Sequence, residues 1–489
     1  MQIGVLRDPT TGKGVCGMGP KFCGDGCISS CGEKSECDPG WGMQWSNAST
    51  CPLNVCCSDY GFCGTTELFC NGKTVASPQC PGGKSADQKL IGYYEGWNLA
   101  RPCGTMKPED IPLGWYTHIN FAFALVNPTT FRIDPMDANT ASLYKRVTAL
   151  KEKQTDLKVW IAIGGWAMND PGPYRTTFSD LAASESKLFG YRLTLHCDRG
   201  RLFESLLTFM QQNGFDGVDL DWEYPVADDR GGVPADFDHY PNFLKRLRER
   251  LNASGKEYGL SITLPASYWY LRGFDLQKME QHLDWFNIMT YDIRTFSCPL
   301  LFRQLTLYGT LLTSFRRIDG VWDSTVHSIG PYAYAHTNLT EIELGLELLW
   351  RNNINPGRVV MGLGFYGRSF TMKDPGCLAA GCEFSDGAHG GDGGATVTFD
   401  EAAAVKIVTW NGDQWVSWDD AETLKIKLDY ANQRCLGGTM IWAIDLDDGT
   451  LLNALGGVSS KSKKRTLKDL PNPIPDFESP WPNDKKDEL

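Results

Sequence analysis

Eight short apolar segments alternate with helical runs between about residue 90 and residue 454. One such run, PNFLKRLRERL, places Phe243, Leu244, Leu247 and Leu251 on one side of a helix. Eight β/α units in succession predict an α/β fold, a closed (β/α)8 TIM barrel rather than an open sheet. In chain order, the predicted strands are LIGYYEGW, YTHINFAFALV, LKVWIAIGGW, FDGVDLDWEY, YGLSITLPAS, DWFNIMTYD, RVVMGLGFYG and LGGTMIWAIDL.

The regions that flank and interrupt this pattern differ from it in composition. Residues 370–434, between the seventh and eighth strands, carry glycine-rich turns, TVTF and a helical stretch, which indicates a small α+β insertion in a barrel of residues 89–456. Residues 81–88 are predicted to be a linker. Residues 457–489 are polar, contain five prolines, and are expected to be disordered.

Cysteines are concentrated near the N-terminus, where eleven of the seventeen lie between Cys16 and Cys80. This density predicts a small disulfide-held module made in an oxidising compartment. Zinc binding is the alternative, but the stretch contains no histidine, so we expect no metal and no cofactor. The short spacings predict local pairs of Cys27 with Cys31 and of Cys377 with Cys382, and the odd total leaves at least one thiol without an internal partner.

A repeat divides this cysteine-rich region. CGMGPKFC, from Cys16 to Cys23, matches CGTTELFC, from Cys63 to Cys70, at a period of 47 residues. The second copy has a full upstream half and the first has none. The sequence therefore predicts a partial module at residues 1–36 and a complete module at residues 37–80, with the chain beginning inside a module.

Charge and hydropathy narrow the range of partners. A net charge of −12 and a pI near 5.2 disfavour nucleic acid and anionic membranes, and no apolar run approaches the length of a membrane span. The start of the chain lacks the apolar core of a signal peptide, yet the cysteines and the N-x-S/T sites at Asn47, Asn252 and Asn338 favour secretion. The final KDEL leaves retention in the endoplasmic reticulum possible. We expect a monomer.

The fourth predicted strand carries an acidic row. In FDGVDLDWEYP, Asp219, Asp221 and Glu223 alternate with apolar residues, so their side chains share one face of the strand. In a barrel that face points inward, where neighbouring carboxylates cannot all ionise, and at least one should keep a proton near neutral pH. Glu223 comes last, toward the C-terminal rim where barrel active sites lie, which predicts a general acid. Asp216 is expected to be structural.

General acids of this kind protonate glycosidic oxygens, and indole rings near them stack on sugars. Several of the sixteen tryptophans fall near strand ends, among them Trp97, Trp166, Trp269 and Trp442. Asp221 and Glu223 are about 6.6–7 Å apart along the backbone, which leaves both retaining and inverting mechanisms open.

FDGVDLDWEYP resembles the DxxDxDxE signature of glycoside hydrolase family 18, the chitinases. IAIGGW is similar to the SxGGW strand of that family, MTYD to its sixth-strand motif and GTMIWAID to its eighth-strand tryptophan motif. CCSDYGFCGTTELFC resembles a hevein-type (type 1) chitin-binding module. The combination is similar to secreted fungal chitinases and their killer-toxin-like relatives. The resemblance implies a chitinase that binds chitin and chito-oligosaccharides.

The family resemblance also implies roles for individual residues. Glu223 would be the acid and base, while the N-acetyl oxygen of the substrate acts as nucleophile. Asp221 would orient that acetamido group, and Asp219 would share charge or a proton with Asp221. The remaining candidates would contact the sugar: Tyr291, Asp292, Met289 of MTYD, Trp442, Trp166, Tyr93 and Phe123. In the module, sugar binding would fall to Ser58, Tyr60, Phe62 and Phe69.

The sequence departs from the family pattern at three places. Ala162 replaces a strand-three serine, which would remove one hydrogen bond near Asp219 and shift the pH optimum. Surplus residues occupy 189–201 and 294–318, and Cys197 and Cys298 lie in them. We expect both stretches to be translated introns, and a working lid over the cleft is the alternative.

Two other functions remain open. One is a chitin lectin or a killer-toxin subunit that uses the barrel mainly for docking to the cell wall. The other is a non-functional product of a mis-spliced gene. The retained Glu223 favours the enzyme.

Overall fold

The computed structural model describes residues 4–7, 14–184, 198–293, 330–390 and 394–456. The surplus stretch 294–318 and the tail 457–489 lie outside the described residues, as does the first surplus stretch up to residue 197. The expectations for a lid and a disordered tail, and most of the intron expectation, therefore concern parts of the chain that the structure does not describe. Residues 198–201, the end of the first surplus stretch, belong to the helix Asp198–Asn213.

The N-terminal module consists of two short sheets and two single-turn helices. Its strands are β1 (Gly4–Arg7), β2 (Gly14–Gly17), β3 (Cys27–Ser29), β4 (Cys56–Cys57) and β5 (Cys63–Gly64). Helices α1 (Pro20–Cys23) and α2 (Glu67–Cys70) occupy equivalent positions 47 residues apart. Phe22 packs on Gly17 in the first copy and Phe69 on Gly64 in the second, so the repeat seen in the sequence is also a repeat of structure.

The predicted disulfide-held module is confirmed among the described residues. Both predicted local pairs form, and Cys16, Cys23 and Cys103 are unpaired. The disulfides are Cys27–Cys31, Cys37–Cys57, Cys51–Cys63, Cys56–Cys70, Cys80–Cys435 and Cys377–Cys382.

The barrel has the predicted strand order. From Leu90 onward the strands are β6 (Leu90–Glu95), β7 (His118–Val126), β8 (Ile133–Pro135), β9 (Lys158–Gly164), β10 (Gly217–Asp221), β11 (Gly259–Pro265), β12 (Trp285–Met289), β13 (Val359–Gly364), β14 (Arg368–Met372), β15 (Phe384–Gly387), β16 (Thr396–Asp400), β17 (Val405–Trp410), β18 (Gln414–Trp418) and β19 (Gly438–Trp442). Eight of them, β6, β7, β9 to β13 and β19, are parallel, and β6 pairs with both β7 and β19 to close the barrel. The predicted (β/α)8 fold is confirmed.

Helices cover the outside of the barrel. They are α3 (Ala138–Thr148), α4 (Thr177–Ala183), α5 (Asp198–Asn213), α6 (Asp236–Asn252), α7 (Tyr268–Leu271), α8 (Leu276–Glu280), α9 (Leu339–Trp350), α10 (Ala421–Gln433) and α11 (Thr450–Ala454). The predicted helical face of α6 is buried, because Phe243, Leu244, Leu247 and Leu251 all lie in the core between helices and strands. Among the described residues no helix combines the length and apolar character that a membrane span requires.

The period of two along β10 separates two cores. Val218 and Leu220 pack in the large core between the strands and the helices, while Asp219 points into the barrel. At the N-terminal end of the barrel, Trp160 stacks on Trp285 with ring centroids 4.4 Å apart and closes the floor. Gly259 leaves room for this stack, since a Cβ there would lie 1.8 Å from Trp160. The acidic row therefore lies above an aromatic floor and opens toward the opposite rim.

The insertion between β13 and β19 is an antiparallel sheet with its own core. Its strand order is β15-β14-β18-β17-β16, and Phe370 and Trp415 lie at the centre of a separate hydrophobic cluster. The predicted insertion, residues 370–434, also includes α10, but Leu424 and Ala431 of this helix pack in the core of the barrel. The sheet itself runs from Arg368 to Trp418.

The segment predicted as a linker is held against the barrel. Cys80 is bonded to Cys435, and its backbone N–H donates to the Gln433 carbonyl at 2.8 Å. Asn432 accepts from the Ala86 N–H at 2.9 Å and donates to Asp87 at 2.6 Å. The module is therefore anchored covalently and by hydrogen bonds at the end of α10.

Candidate active site

Asp219 is fully buried in the interior of the barrel and accepts three hydrogen bonds. Tyr93 donates to Oδ2 at 2.6 Å, Ser261 to Oδ1 at 2.6 Å and Asn287 to Oδ1 at 3.0 Å. Burial raises the pKa of Asp219, and the three donors oppose that rise. Ala162 of β9 lies directly opposite Asp219 and carries no hydroxyl that could donate to it. On the other side of β10, Ser261 of β11 lies opposite Asp219 and does donate a hydrogen bond.

Asp221 lies two residues further along β10, also buried. The Thr263 hydroxyl of β11 donates a hydrogen bond to its Oδ1. Burial and then the charge of Glu223 raise the pKa of Asp221 well above its ordinary value, while Thr263 opposes the rise. Asp221 is therefore more readily protonated than an ordinary carboxyl group, which is the behaviour expected for one member of a buried row of carboxylates.

Glu223 follows the end of β10 at the rim of the barrel and is only 7% exposed. Burial raises the pKa of Glu223 from 4.5 to about 7, against the lowering effects of Tyr224 and Arg230. A carboxyl group with this pKa holds a proton near neutral pH and can still release it, which is the property of a general acid and base. Asp216, at the start of β10, accepts from Lys151 at 2.8 Å and from the Val159 N–H at 3.0 Å, which fits its expected structural role.

Asp292 lies on the rim after β12 and joins the barrel to the insertion sheet. Arg368 donates to both of its oxygens, at 2.8 and 2.7 Å, and His336 Nδ1 lies 3.4 Å from Oδ1. About a third of the Asp292 side chain is exposed, but the protein around it still desolvates the carboxylate, which alone would raise its pKa; His336 and Arg368 hold the pKa well below its usual range. Tyr291 beside it is buried, and burial together with the charge of Asp221 raises the pKa of its hydroxyl. Asp292 therefore remains a carboxylate beside a neutral phenol.

Aromatic side chains line one side of the rim. Trp442 lies 5.4 Å from Tyr93 and 5.8 Å from Phe123 between ring centroids. Trp97 stacks on Phe123 at 5.9 Å. Met289 is half-buried at the end of β12 and packs against the inner cluster that contains Tyr93 and Phe123. These residues form an apolar surface suited to the C–H face of a sugar.

Trp166 lies after β9 and is 48% exposed. The Arg230 guanidinium stacks on its ring at 3.6 Å and also binds the carbonyls of Trp166 and Glu223, at 2.6 and 3.1 Å. Asp170 fixes the same guanidinium at 2.9 Å. Arg230 therefore sets the position of an exposed indole and of the backbone at Glu223 together.

The predicted sugar-binding face of the module is exposed only in part. Tyr60 is 74% exposed, whereas Phe62 and Phe69 are half-buried. The Phe69 ring lies flat against the backbone of Gly64 in the same module, since a Cβ on Gly64 would lie 2.5 Å from the ring. Ser58 is buried and accepts a hydrogen bond from the Phe62 N–H at 3.2 Å. The exposed aromatic cluster expected from the sequence thus centres on Tyr60.

Sequence reasoning missed several residues that touch the predicted ones. The acidic row is surrounded from the next two strands by Ser261, Thr263 and Asn287. Their alternation along those strands, which turns them toward the barrel interior, was the one sequence signal that could have indicated them. Arg230 lies in a loop after β10, and Arg368 lies on the insertion sheet. No periodic pattern of the sequence indicates either residue. The Sγ atoms of Cys37, Cys51 and Cys63 lie within 4.8 Å of one another. Each of these cysteines is bonded in a disulfide and therefore offers no thiolate to a metal.

Comparison with known proteins identifies both parts of the chain. The family described as "Glycosyl hydrolases family 18" matches residues 89–447, and the family described as "Chitin recognition protein" matches residues 41–80. The chain is 28% identical to the "Probable chitinase LysM18" of Penicillium expansum over 83% of its length and 31% identical to the "Killer toxin subunits alpha/beta" of Kluyveromyces lactis over 72%. It spans only 29% and 27% of these two relatives. The catalytic domain 2 of a group II chitinase from Ostrinia furnacalis is similar in structure, with a TM-score of 0.61 and 26% identity over 78% of this chain and 98% of that one.

Proposed function

This chain belongs to the glycosyl hydrolases of family 18, and we propose that it is a chitinase, which hydrolyses the β-1,4 linkages between N-acetylglucosamine units of chitin. The observation that carries the proposal is the carboxyl group of Glu223. It lies at the rim of a closed barrel, next to a second buried carboxyl group, and its pKa is raised to about 7. A group that only stabilised the fold would gain nothing from being held half-protonated there.

Glu223 donates its proton to the glycosidic oxygen as the bond to the anomeric carbon breaks. The N-acetyl oxygen of the same sugar attacks that carbon and forms a cyclic oxazolinium intermediate, so no carboxylate of the protein is the nucleophile. The Glu223 carboxylate then takes a proton from a water molecule that attacks the anomeric carbon. Two successive inversions retain the anomeric configuration.

Neighbouring residues prepare the substrate for this attack. Asp221 accepts a hydrogen bond from the acetamido N–H and so orients the acetamido oxygen. Asp219, deeper in the barrel, shares charge or a proton with Asp221. Tyr291, whose hydroxyl is kept neutral by burial, donates a hydrogen bond to the acetamido oxygen. Asp292, kept ionised by Arg368 and His336, binds a sugar hydroxyl. Trp442 forms the floor under the reacting sugar.

The module binds chitin through Tyr60 and Phe62, and Trp166 supports the sugar on the leaving-group side. The match of residues 41–80 to chitin recognition proteins supports this assignment. We infer that the protein acts outside the cell, because its disulfides require an oxidising compartment.

A second candidate is a chitin-docking subunit with little or no turnover, and the similarity to a killer toxin favours it. Turnover of a fluorogenic chitobioside by the purified protein separates the two. The enzyme releases the fluorophore, and proton NMR at early times shows the β-anomer of the sugar product. A docking protein binds insoluble chitin and releases nothing.

A further inference from the structure

The loop that follows Glu223 turns back onto it. Residues 224–235 connect the end of β10 to α6, and the buried Arg230 lies in a single helical turn within this loop. The Nε of Arg230 donates to the Glu223 carbonyl at 3.1 Å, and its Nη2 donates to the Trp166 carbonyl at 2.6 Å. Its Nη1 donates to Asp170 Oδ1 at 2.9 Å. A guanidinium carries its N–H donors in one rigid plane, so these three bonds fix its orientation.

Hydrogen bonds at both ends of the loop hold Arg230 in this position. Asp236, at the start of α6, is fully buried. It accepts from the backbone N–H groups of Val226 and Val233, at 3.2 and 2.7 Å. The Arg230 carbonyl accepts from the side-chain amide of Asn169, which follows β9, at 3.2 Å. The fold itself therefore places the guanidinium against the backbone of the catalytic acid.

Charged and titratable groups face the Glu223 carboxyl group from β10, from the loop after it, from the segment after β9, from the rim after β12 and from α7. They are Asp221, Tyr224, Arg230, Asp170, Tyr291, Asp292 and Tyr270. Burial has the largest effect on the pKa of Glu223 and raises it. The hydrogen bond with Tyr224 and the charge of Arg230 lower this pKa. The charges of Asp292 and Asp170 raise it. Arg230 is the one cation in this set of described residues.

We propose that Arg230 is a positioning residue of the catalytic acid, which fixes the backbone at Glu223 and, together with Asp170, balances the charge beside its carboxyl group. General acid catalysis is most efficient when the pKa of the acid lies near the working pH. A carboxyl group that burial alone controlled would be a weaker acid toward the glycosidic oxygen, and a fixed cation beside it opposes that effect. This inference rests on the proposed function.

The test compares pH profiles of kcat/KM for the fluorogenic chitobioside in the full-length parent, Arg230→Met and Asp170→Asn. The basic limb of the profile falls where Glu223 loses its proton. Removing the cation should move this limb up by roughly 0.5–1 pH unit, and removing the carboxylate should move it down by a similar amount. Arg230→Met should also lower kcat roughly tenfold or more, because the backbone at Glu223 loses its anchor.

Two further variants separate the effect of charge from the effect of position. Arg230→Lys keeps the charge but loses the planar set of donors, so the basic limb should stay near that of the parent while kcat still falls. Arg175→Met is the matched control, because Arg175 holds the same loop through the carbonyls of Asp228 and Asp229, at 3.2 and 2.7 Å. This control should lower the melting temperature and leave the basic limb unchanged.

The directions of the two shifts decide the role of Arg230. Opposite shifts in Arg230→Met and Asp170→Asn support it, and any other pattern overturns it. If Arg230→Met does not fold, a lower kcat in Arg230→Lys together with a lower basic limb in Asp170→Asn supports the role, and the absence of either change overturns it. A parent protein that releases no fluorophore overturns the proposed chitinase activity, and with it the inference.

Discussion

Arg368 and Asp292 form a two-point ion pair that joins the insertion sheet to the rim of the barrel, with Nε 2.8 Å from Oδ1 and Nη2 2.7 Å from Oδ2. The pair does two things at once. It holds the pKa of Asp292 well below its usual range against the effect of desolvation, and it fixes the sheet beside the C-terminal rim of the barrel. The insertion is thus a working part of the proposed site.

Replacing Arg368 should impair catalysis more than folding. In Arg368→Ala the pKa of Asp292 rises, so the acidic limb of the pH profile of kcat/KM moves to higher pH. Asp292 is partly exposed, so we expect a stability loss of only about 1–3 kcal/mol at pH 7. Because the folded-state pKa of Asp292 is depressed, that loss should shrink as the pH falls. Lys406→Ala, which breaks the pair between β17 of the same sheet and the exposed Glu422 of α10, is the control. An unchanged pH profile in Arg368→Ala would contradict the role of the pair.

Ser261→Ala should weaken the support of Asp219 in a way that can be repaired. The variant removes one of three donors to a buried carboxyl group, at a cost of about 1–3 kcal/mol in stability. Adding Ala162→Ser to the same protein places a hydroxyl opposite Asp219 from the other neighbouring strand. We expect the double variant to recover part of the thermal stability and of kcat. A double variant no better than Ser261→Ala alone would argue against this exchange of donors.

Glu223 should make stability depend on pH. Its folded-state pKa is raised from 4.5 to about 7, so the folded protein holds a proton that the unfolded chain has released in this window. Stability from this group is complete below pH 4.5 and is lost as the pH rises toward 7. The Gln side chain of Glu223→Gln does not ionise in either state, so at pH 8 the variant should be more stable than the parent by on the order of 3 kcal/mol. Chemical denaturation at pH 4 and pH 8 measures the difference, and an equal effect at both values would contradict the raised pKa.

The aromatic face of the module should affect binding to insoluble chitin alone. Tyr60→Ala combined with Phe62→Ala removes the exposed ring and its half-buried neighbour, so retention on insoluble chitin should fall severalfold. Turnover of chitobioside should stay nearly unchanged, because the acidic row lies in the barrel and the module is a separate family match. Phe22→Ala, in the first copy of the repeat, is the matched control. Equal losses on both substrates would place the face within the catalytic cleft.

The sequence predicts much of the barrel and of the acidic row, because both depend on periodicity. The alternation in FDGVDLDWEYP determines which side chains of β10 point inward, whatever surrounds them. The residues that contact those side chains cannot be found from periodicity, because they are distant in the sequence. Arg368 reaches Asp292 across 76 residues, and Asn54 reaches Asn352 across 298, through loops and a docking surface that leave no repeating pattern. The half-buried state of Phe69 likewise depends on Gly64, whose missing side chain makes room for the ring.

The proposed chitinase activity depends most directly on Glu223 as its acid and base. The most direct measurement is the single-turnover rate of Glu223→Gln on the N-acetylglucosamine hexamer, together with its affinity for the same substrate. The amide keeps the shape of the side chain and cannot transfer the proton, so the rate should fall by at least about 10³-fold while the affinity stays within about threefold. A rate within tenfold of the parent would contradict the role of Glu223 as the acid and base.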